Sequence, residues 1–229
     1  MHIKSFFRLC INAFYPSRCP YCNSVIAKNK IACEKCISKV QQENITTQLM
    51  HTKSISPFRY DGMYKKAIQQ LKFNNYGNYA EQMAMVMSNA VKKEYANCFN
   101  DNNNFDFITC VPFTKNKYKE RGYNQSKLLA QNISYYLKIE YRDILIKTKD
   151  NKTQHTLTRK QRIENVHNVF DINSKYSVRN KKILVIDDIL TTGSTLDECA
   201  NVLLNNGAKE VLCATFTTTI VNNTKATQN

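Results

Sequence analysis

The chain has 229 residues, 42% of them hydrophobic, and a formal net charge of +15 from 33 basic and 18 acidic side chains. That supports one packed domain with a small appendage and excludes a largely disordered chain, while the charge points to polyanionic partners, either nucleic acid or a small ligand with several phosphates. No run approaches the ~18 apolar residues that span a bilayer, so no transmembrane segment is expected. Lys4 and Arg8 interrupt the apolar pattern at the start, so no secretory signal is read there. The nine cysteines are then expected in a reducing cytoplasm, where clustered thiols hold metal and do not form disulfides.

Residues 1–15 place Ile3, Phe6, Phe7, Cys10, Ile11 and Phe14 at helical spacing. This amphipathic helix is expected to dock on its own domain, because few basic residues line its polar face as a membrane-surface helix would need. Residues 16–50 read as a zinc-finger-like module and linker. Cys19-Pro-Tyr-Cys22 and Cys33-Glu-Lys-Cys36 are two pairs whose spacing sets four thiolates around one Zn²⁺. Asn23 tolerates the left-handed turn that such a knuckle needs. Four cysteine ligands leave no open position, so the metal is structural. Cys98, Cys110, Cys199 and Cys213 are scattered, like Cys10, and read as core residues.

The main domain is expected over residues 51–217, with a flexible polar tail over 218–229. Residues 41–56 are polar and read as linker. A short strand is expected at 57–60, a turn at Asp61-Gly62, and a helix at 63–73 with Ala67, Ile68 and Leu71 inward. A second helix is expected at 78–95, a loop at 100–104, and a strand at 105–111 that Pro112 ends. A basic loop then leads to a helix at 124–137. A strand at 144–146, a polar loop at 148–154 and a helical turn at 158–165 precede Val169-Phe170. Next come a central strand at 183–186, a helix at 196–204 stopped by Gly207, and a last strand at 210–216. Strands alternating with helices predict an α/β domain whose mostly parallel sheet carries helices on both faces.

The most informative stretch is 183–195, Ile-Leu-Val-Ile-Asp-Asp-Ile-Leu-Thr-Thr-Gly-Ser-Thr. Four apolar β-formers suit a strand buried on both faces. The strand is expected to end on Asp187 and Asp188, followed by a turn and a helix. Backbone N–H groups converging at a helix N-terminus suit a phosphate. Gly193 allows close approach, and Thr191, Thr192, Ser194 and Thr195 add hydroxyl donors. The two carboxylates accept hydrogen bonds and so suit the vicinal hydroxyls of a sugar. Together they describe a ribose 5-phosphate site. Neither a Walker A motif nor a GxGxxG fingerprint is present.

This stretch resembles the signature of type I phosphoribosyltransferases, which bind 5-phosphoribosyl 1-pyrophosphate (PRPP) through a strand, an acidic pair and a TTGxT-type loop. A second constellation lies between Val111 and Phe170, where 13 Lys/Arg and 5 Asp/Glu carry +8 of the net charge. Val-Pro-Phe at 111–113 is followed by Lys115, Lys117, Lys119 and Arg121. Ligands bind at strand ends in open parallel sheets, so a basic loop there suits a second phosphate group. A solvated lysine-rich loop is the plain alternative. Tyr118, Tyr123, Tyr135 and Tyr136 lie among these charges, and an exposed aromatic between lysines can stack an unpaired base.

The blocks VPF…KERGYNQSKLLA and KTKDNKTQHTLTRKQRIENVHNVF, set between the cysteine pairs and the acidic stretch, resemble the ComF/GntX family of competence-associated, phosphoribosyltransferase-like proteins. The likeness runs from about Phe14 to Phe216. It implies that Val111-Pro112 lies in a pyrophosphate loop and that residues 147–165 form a loop closing over PRPP. Lys147 stands where the family leads one to expect arginine, and lysine lacks the bidentate geometry for phosphate. Lys115 and Arg121 are the candidates for pyrophosphate, and Lys152 or Arg159 for the closing loop. His155 is read as a bystander. The implied reaction displaces pyrophosphate from the anomeric carbon with Mg²⁺ on the leaving group, Asp187 and Asp188 orienting the diol and favouring the developing cation.

Three functions fit this sequence. One is a ComF-like protein of DNA uptake or natural transformation, with a PRPP site, a surface for single-stranded DNA, and DNA-uptake or recombination proteins as partners. Another is a salvage phosphoribosyltransferase acting on a purine base. The last is a non-catalytic scaffold that senses PRPP. A salvage enzyme has no need of a zinc knuckle or a strongly basic face, which favours the first.

Overall fold

The computed structural model describes residues 16–73, 79–99, 104–148 and 169–220. The expected N-terminal helix, the helical turn at 158–165, and Lys152, His155 and Arg159 lie outside them. In chain order the elements are α1 (Glu34–Ile37), β1 (Ile45–Gln48), β2 (Lys53–Ser56), β3 (Phe58–Arg59), α2 (Gly62–Phe73) and α3 (Ala80–Glu94). There follow β4 (Phe107–Cys110), α4 (Lys115–Arg121), α5 (Gln125–Leu137), β5 (Leu145–Lys147), β6 (Phe170–Ile172), β7 (Lys182–Leu190), α6 (Ser194–Asn205) and β8 (Glu210–Thr218).

The main sheet runs β1-β2-β8-β7-β4, with β3 also on β8. All of its pairings are parallel except β1 with β2. Pro57, which lacks an N–H, separates β2 from β3 on the same edge of β8. β5 and β6 form a separate antiparallel pair. Alternation along β7 explains the two-sided core. Leu184 and Ile186 pack with Ile68, Met83, Met87, Leu129 and Ile133 of α2, α3 and α5. Ile183 and Val185 pack with Leu196, Cys199 and Leu203 of α6.

The cysteine module rests on the first of these faces through Cys19, Tyr21 and Ala32. Asn23 is left-handed as expected, with φ 69°. Its side chain accepts a 2.6 Å hydrogen bond from the Tyr79 hydroxyl, which ties the knuckle to the start of α3.

Three expectations are corrected. Residues 41–56 are not a linker, because β1 and β2 form a hairpin on the sheet. ITTQ looks polar because β1 is an edge strand with little to bury, whereas KSIS is an interior strand whose buried Ser56 is satisfied by Thr215 Oγ1 at 2.6 Å. The basic loop after Pro112 is a helix, α4. Thr114 caps it by accepting from the Lys117 N–H, and Gly122 ends it at φ 79°. Strand β7 does not end on the acidic pair but continues to Leu190, held by β8 through Ile189↔Thr217 and Leu190↔Thr218.

Candidate active site

The site exists because β7 is longer than one of its neighbours. Strand β4 pairs with it as far as Cys110↔Ile186, and the Val111 N–H still reaches the Ile186 carbonyl at 3.0 Å. From Asp187 onward only β8 remains alongside. Val111-Pro112-Phe113 turns away and leaves a cleft of about 330 Å³. The cleft is lined by Asp187, Asp188, Thr191 and Thr195, by Val111, and by the cations Lys72, Lys117, Arg121 and Lys147.

The Arg-Gly-Tyr-Asn-Gln-Ser segment sets the floor. Asn124 caps α5 by accepting from the Lys127 N–H, while its Nδ2 donates to the Val111 carbonyl at 2.9 Å. One side chain therefore fixes both the turn leaving β4 and the start of α5. Ser126, in the first turn of α5, donates its hydroxyl to Asp187 Oδ1 at 2.6 Å, and the Asp188 N–H donates to the same oxygen at 2.9 Å. Burial and then the neighbouring Asp188 push the Asp187 carboxyl up to about 6, and these two donors only partly offset them.

Asp188 is buried and paired with Lys72, Nζ to Oδ2 2.8 Å. Burial works against the Lys72 ammonium, but Asp188 outweighs it and holds the Lys72 pKa above its ordinary value. Neither acid is exposed: Asp188 is buried and Asp187 half-buried. Lys72 was not legible as a site residue, since it sits in the last turn of a helix 116 positions earlier with no motif around it.

The phosphate loop follows β7. Gly193 has φ 82° and precedes α6, and its carbonyl accepts from the Asp197 N–H at 2.9 Å. Thr192 Oγ1 and Ser194 Oγ lie 2.8 Å apart. The β1–β2 hairpin closes over this loop, and a Cβ at position 193 would collide with the Leu49 side chain. Asp197 Oδ1 accepts from the His51 N–H at 2.7 Å, and Asp197 Oδ2 lies 2.9 Å from His51 Nδ1. Sequence reasoning missed this support because the hairpin has no sequence signal beyond two short polar runs.

Of the expected residues, Asp187, Asp188, Thr191, Thr195, Val111 and Arg121 line the cleft, and Thr192, Gly193 and Ser194 shape the adjoining loop. Lys115 begins α4. Lys147, placed by β5, lines the cleft beside Phe170. Arg121 lies 5.5 Å from the Phe73 ring and 5.9 Å from that of Phe113, and Lys117 lies 4.5 Å from Phe113, so both cations are steadied by aromatic faces.

The second candidate centre is the cysteine module. The sulfurs of Cys19, Cys22, Cys33 and Cys36 all lie within 4.8 Å of one another. Turn hydrogen bonds Asn23 N to Cys19 O (2.9 Å) and Cys36 N to Cys33 O (3.0 Å) present each pair from a tight knuckle. Four convergent sulfurs with no oxygen donor suit tetrahedral Zn²⁺.

Residues 75–225 match the family described as phosphoribosyl transferase domain. Among curated relatives, the DNA utilization protein YhgH of Escherichia coli K12 is 29% identical over 204 residues, 86% of this chain and 84% of that one. Competence protein F of Haemophilus influenzae is 36% identical over 106 residues, 45% and 46% of the two chains. Competence protein ComFC of Bacillus subtilis is 26% identical over 205 residues, 87% and 76%. No helix among the described residues is long and apolar enough to cross a membrane.

Proposed function

Because the chain belongs to the phosphoribosyl transferase domain family, and to the ComF proteins within it, we propose that it binds PRPP with Mg²⁺ and acts on, or beside, single-stranded DNA in DNA uptake. The observation that carries the PRPP part is the setting of the acidic pair. Two adjacent carboxylates face a cleft with a hydroxyl-rich helix N-terminus on one side and Lys72, Lys117, Arg121 and Lys147 around it. A sugar diol bridged to phosphates at both ends matches that sequence of charges.

In this reading Asp187 and Asp188 accept from the ribose hydroxyls. Thr191 to Thr195 and the N-terminus of α6 take the 5-phosphate. Lys117, Arg121 and Lys147 receive the pyrophosphate. Lys72 stands between the two charge types and leaves Asp188 for the pyrophosphate when substrate enters. Mg²⁺, when bound with PRPP, neutralises charge on the leaving pyrophosphate. As the anomeric C–O bond breaks, positive charge grows on the sugar, and the carboxylates are already fixed near it. Cys19, Cys22, Cys33 and Cys36 would hold a structural Zn²⁺ that joins the two knuckles, while Asn23 ties them to the start of α3.

Calorimetry with PRPP and Mg²⁺ tests the ligand. The parent is expected to bind, and the Asp187→Asn, Asp188→Asn double variant to lose binding while still folded. Equal affinity in both would overturn the reading. A pyrophosphate-release screen over nucleobases, ammonia and single-stranded DNA then separates a ComF-type role from purine salvage. Turnover with a purine base, together with no single-strand binding near physiological salt, would favour salvage.

A further inference from the structure

At the C-terminal end of α5 lies a second groove, of about 670 Å³, lined by Lys28, Asn29, Glu81, Met85, Asn132, Tyr135 and Tyr136. Its walls come from the turn between the cysteine pairs, from α3 and from the last turns of α5. Tyr135 is 63% exposed, so its ring faces solvent at the rim of the groove. Tyr136 meets it edge-on with ring centroids 5.4 Å apart and is itself held by a hydroxyl bond to Glu81 Oε1 at 3.2 Å. The rings thus form a fixed corner. Lys138 Nζ lies 4.3 Å from the Tyr135 centroid, and Lys28 Nζ lies 3.8 Å from Glu81 Oε1, so the one carboxylate lining the groove is countered.

We propose that this corner is a stacking platform for an unpaired base of a single nucleic-acid strand, with Lys138 taking a flanking phosphate while Lys28 stays on Glu81. An exposed ring offers a π-face that any base can use, and the Lys138 ammonium beside it matches a backbone charge next to that base. Asn29 and Asn132 add amide groups that can meet base edges. Lys138 Nζ now lies over the ring. A base displaces that ammonium, which moves outward to the phosphate. The Lys138 ammonium at the ring and the countered Glu81 suit an anionic strand over a neutral peptide. The platform is separate from the PRPP cleft but shares α5 with it: Gln125 lines the cleft and Tyr135 the groove, ten residues apart or about 15 Å along the helix. The proposal rests on the single-strand part of the reading above and not on its PRPP part.

The test uses the full chain, with fluorescence anisotropy on an oligothymidine of about 12 nucleotides. Tyr135→Ala is expected to weaken binding about five- to hundredfold, the loss of one stacked base, while Tyr135→Phe binds like the parent. A strand of the same length with abasic sites throughout should bind parent and Tyr135→Ala equally. PRPP affinity, measured by calorimetry on the same preparations, should be unchanged in Tyr135→Ala. Loss of both ligands in the variant would mean that α5 is disturbed and would overturn the proposal, whereas a parent that binds the strand but not PRPP would fault only the cleft. Equal oligothymidine affinity for Tyr135→Ala and parent, or no binding by the parent, would overturn the proposal. An iodouracil-containing strand gives an independent check: irradiation should cross-link it to Tyr135, and a cross-link only to residues of α4 would also overturn it.

Discussion

Lys72 holds Asp188 from across the cleft, Nζ to Oδ2 2.8 Å, and so ties the last turn of α2 to the central strand at the candidate reaction centre. Both partners are largely withdrawn from solvent, at 23% and 10% side-chain exposure. Removing the cation leaves a buried carboxylate without its counter-charge, which destabilises more than removing both groups. Lys72→Met is therefore expected to lose about 2 kcal/mol, less than a fully buried pair would. Adding Asp188→Asn should restore part of that. Urea titration of the single and double variants measures the coupling, and additive losses would mean that the pair contributes nothing.

The second prediction concerns pH. Asp187 titrates near 6 in the folded protein against an ordinary 3.8, so folding favours its neutral form. Its contribution to stability is complete below about 3.8 and is lost as pH rises through 6. Asp187→Asn stays neutral throughout. The variant should therefore match the parent near pH 3.5 and exceed it at pH 7 by about 1–3 kcal/mol, at the expense of PRPP binding. Thermal melts across that range give the difference curve, and a variant less stable at pH 7 would contradict the burial argument.

Gly193 has two reasons to be glycine, a φ of 82° and the Leu49 side chain where a Cβ would stand. Gly193→Ala should lose about 1–3 kcal/mol and weaken PRPP binding. Leu49→Ala in the same chain removes the collision but not the backbone strain, so recovery should be partial. Full recovery would assign the whole effect to the hairpin, and none would assign it to the dihedral.

The metal prediction is one Zn²⁺ per chain in protein purified without chelator. Replacing Cys19 and Cys22 with serine should release it and loosen the knuckle from α3, because metal binding and folding of so small a module are linked. Elemental analysis and limited proteolysis read the two effects. Less than about half an equivalent in the parent would refute the site.

What the sequence by itself determined is everything encoded within a few neighbouring residues. The buried strand with its acids, the glycine-containing hydroxyl-rich turn before a helix, the paired cysteines around the left-handed Asn23, and the alternation that makes an α/β domain are all short-range patterns. Only the tertiary structure decided which distant residues complete them. β7 continues past the acids because β8 pairs with it, and the cleft opens because β4 stops at Cys110, two facts that no residue of β7 carries. Lys72 reaches Asp188 only because α2 packs on that face of the sheet. The polar hairpin read as linker became the support of the phosphate loop through Leu49 and the His51–Asp197 hydrogen bonds, 146 positions apart. Helix α4 escaped notice because it has no apolar stripe, only a cap at each end. Local steric preference and hydrophobic period can be read along a chain, but strand ends, cleft edges and charge partners depend on long-range pairings and become visible only in the assembled fold.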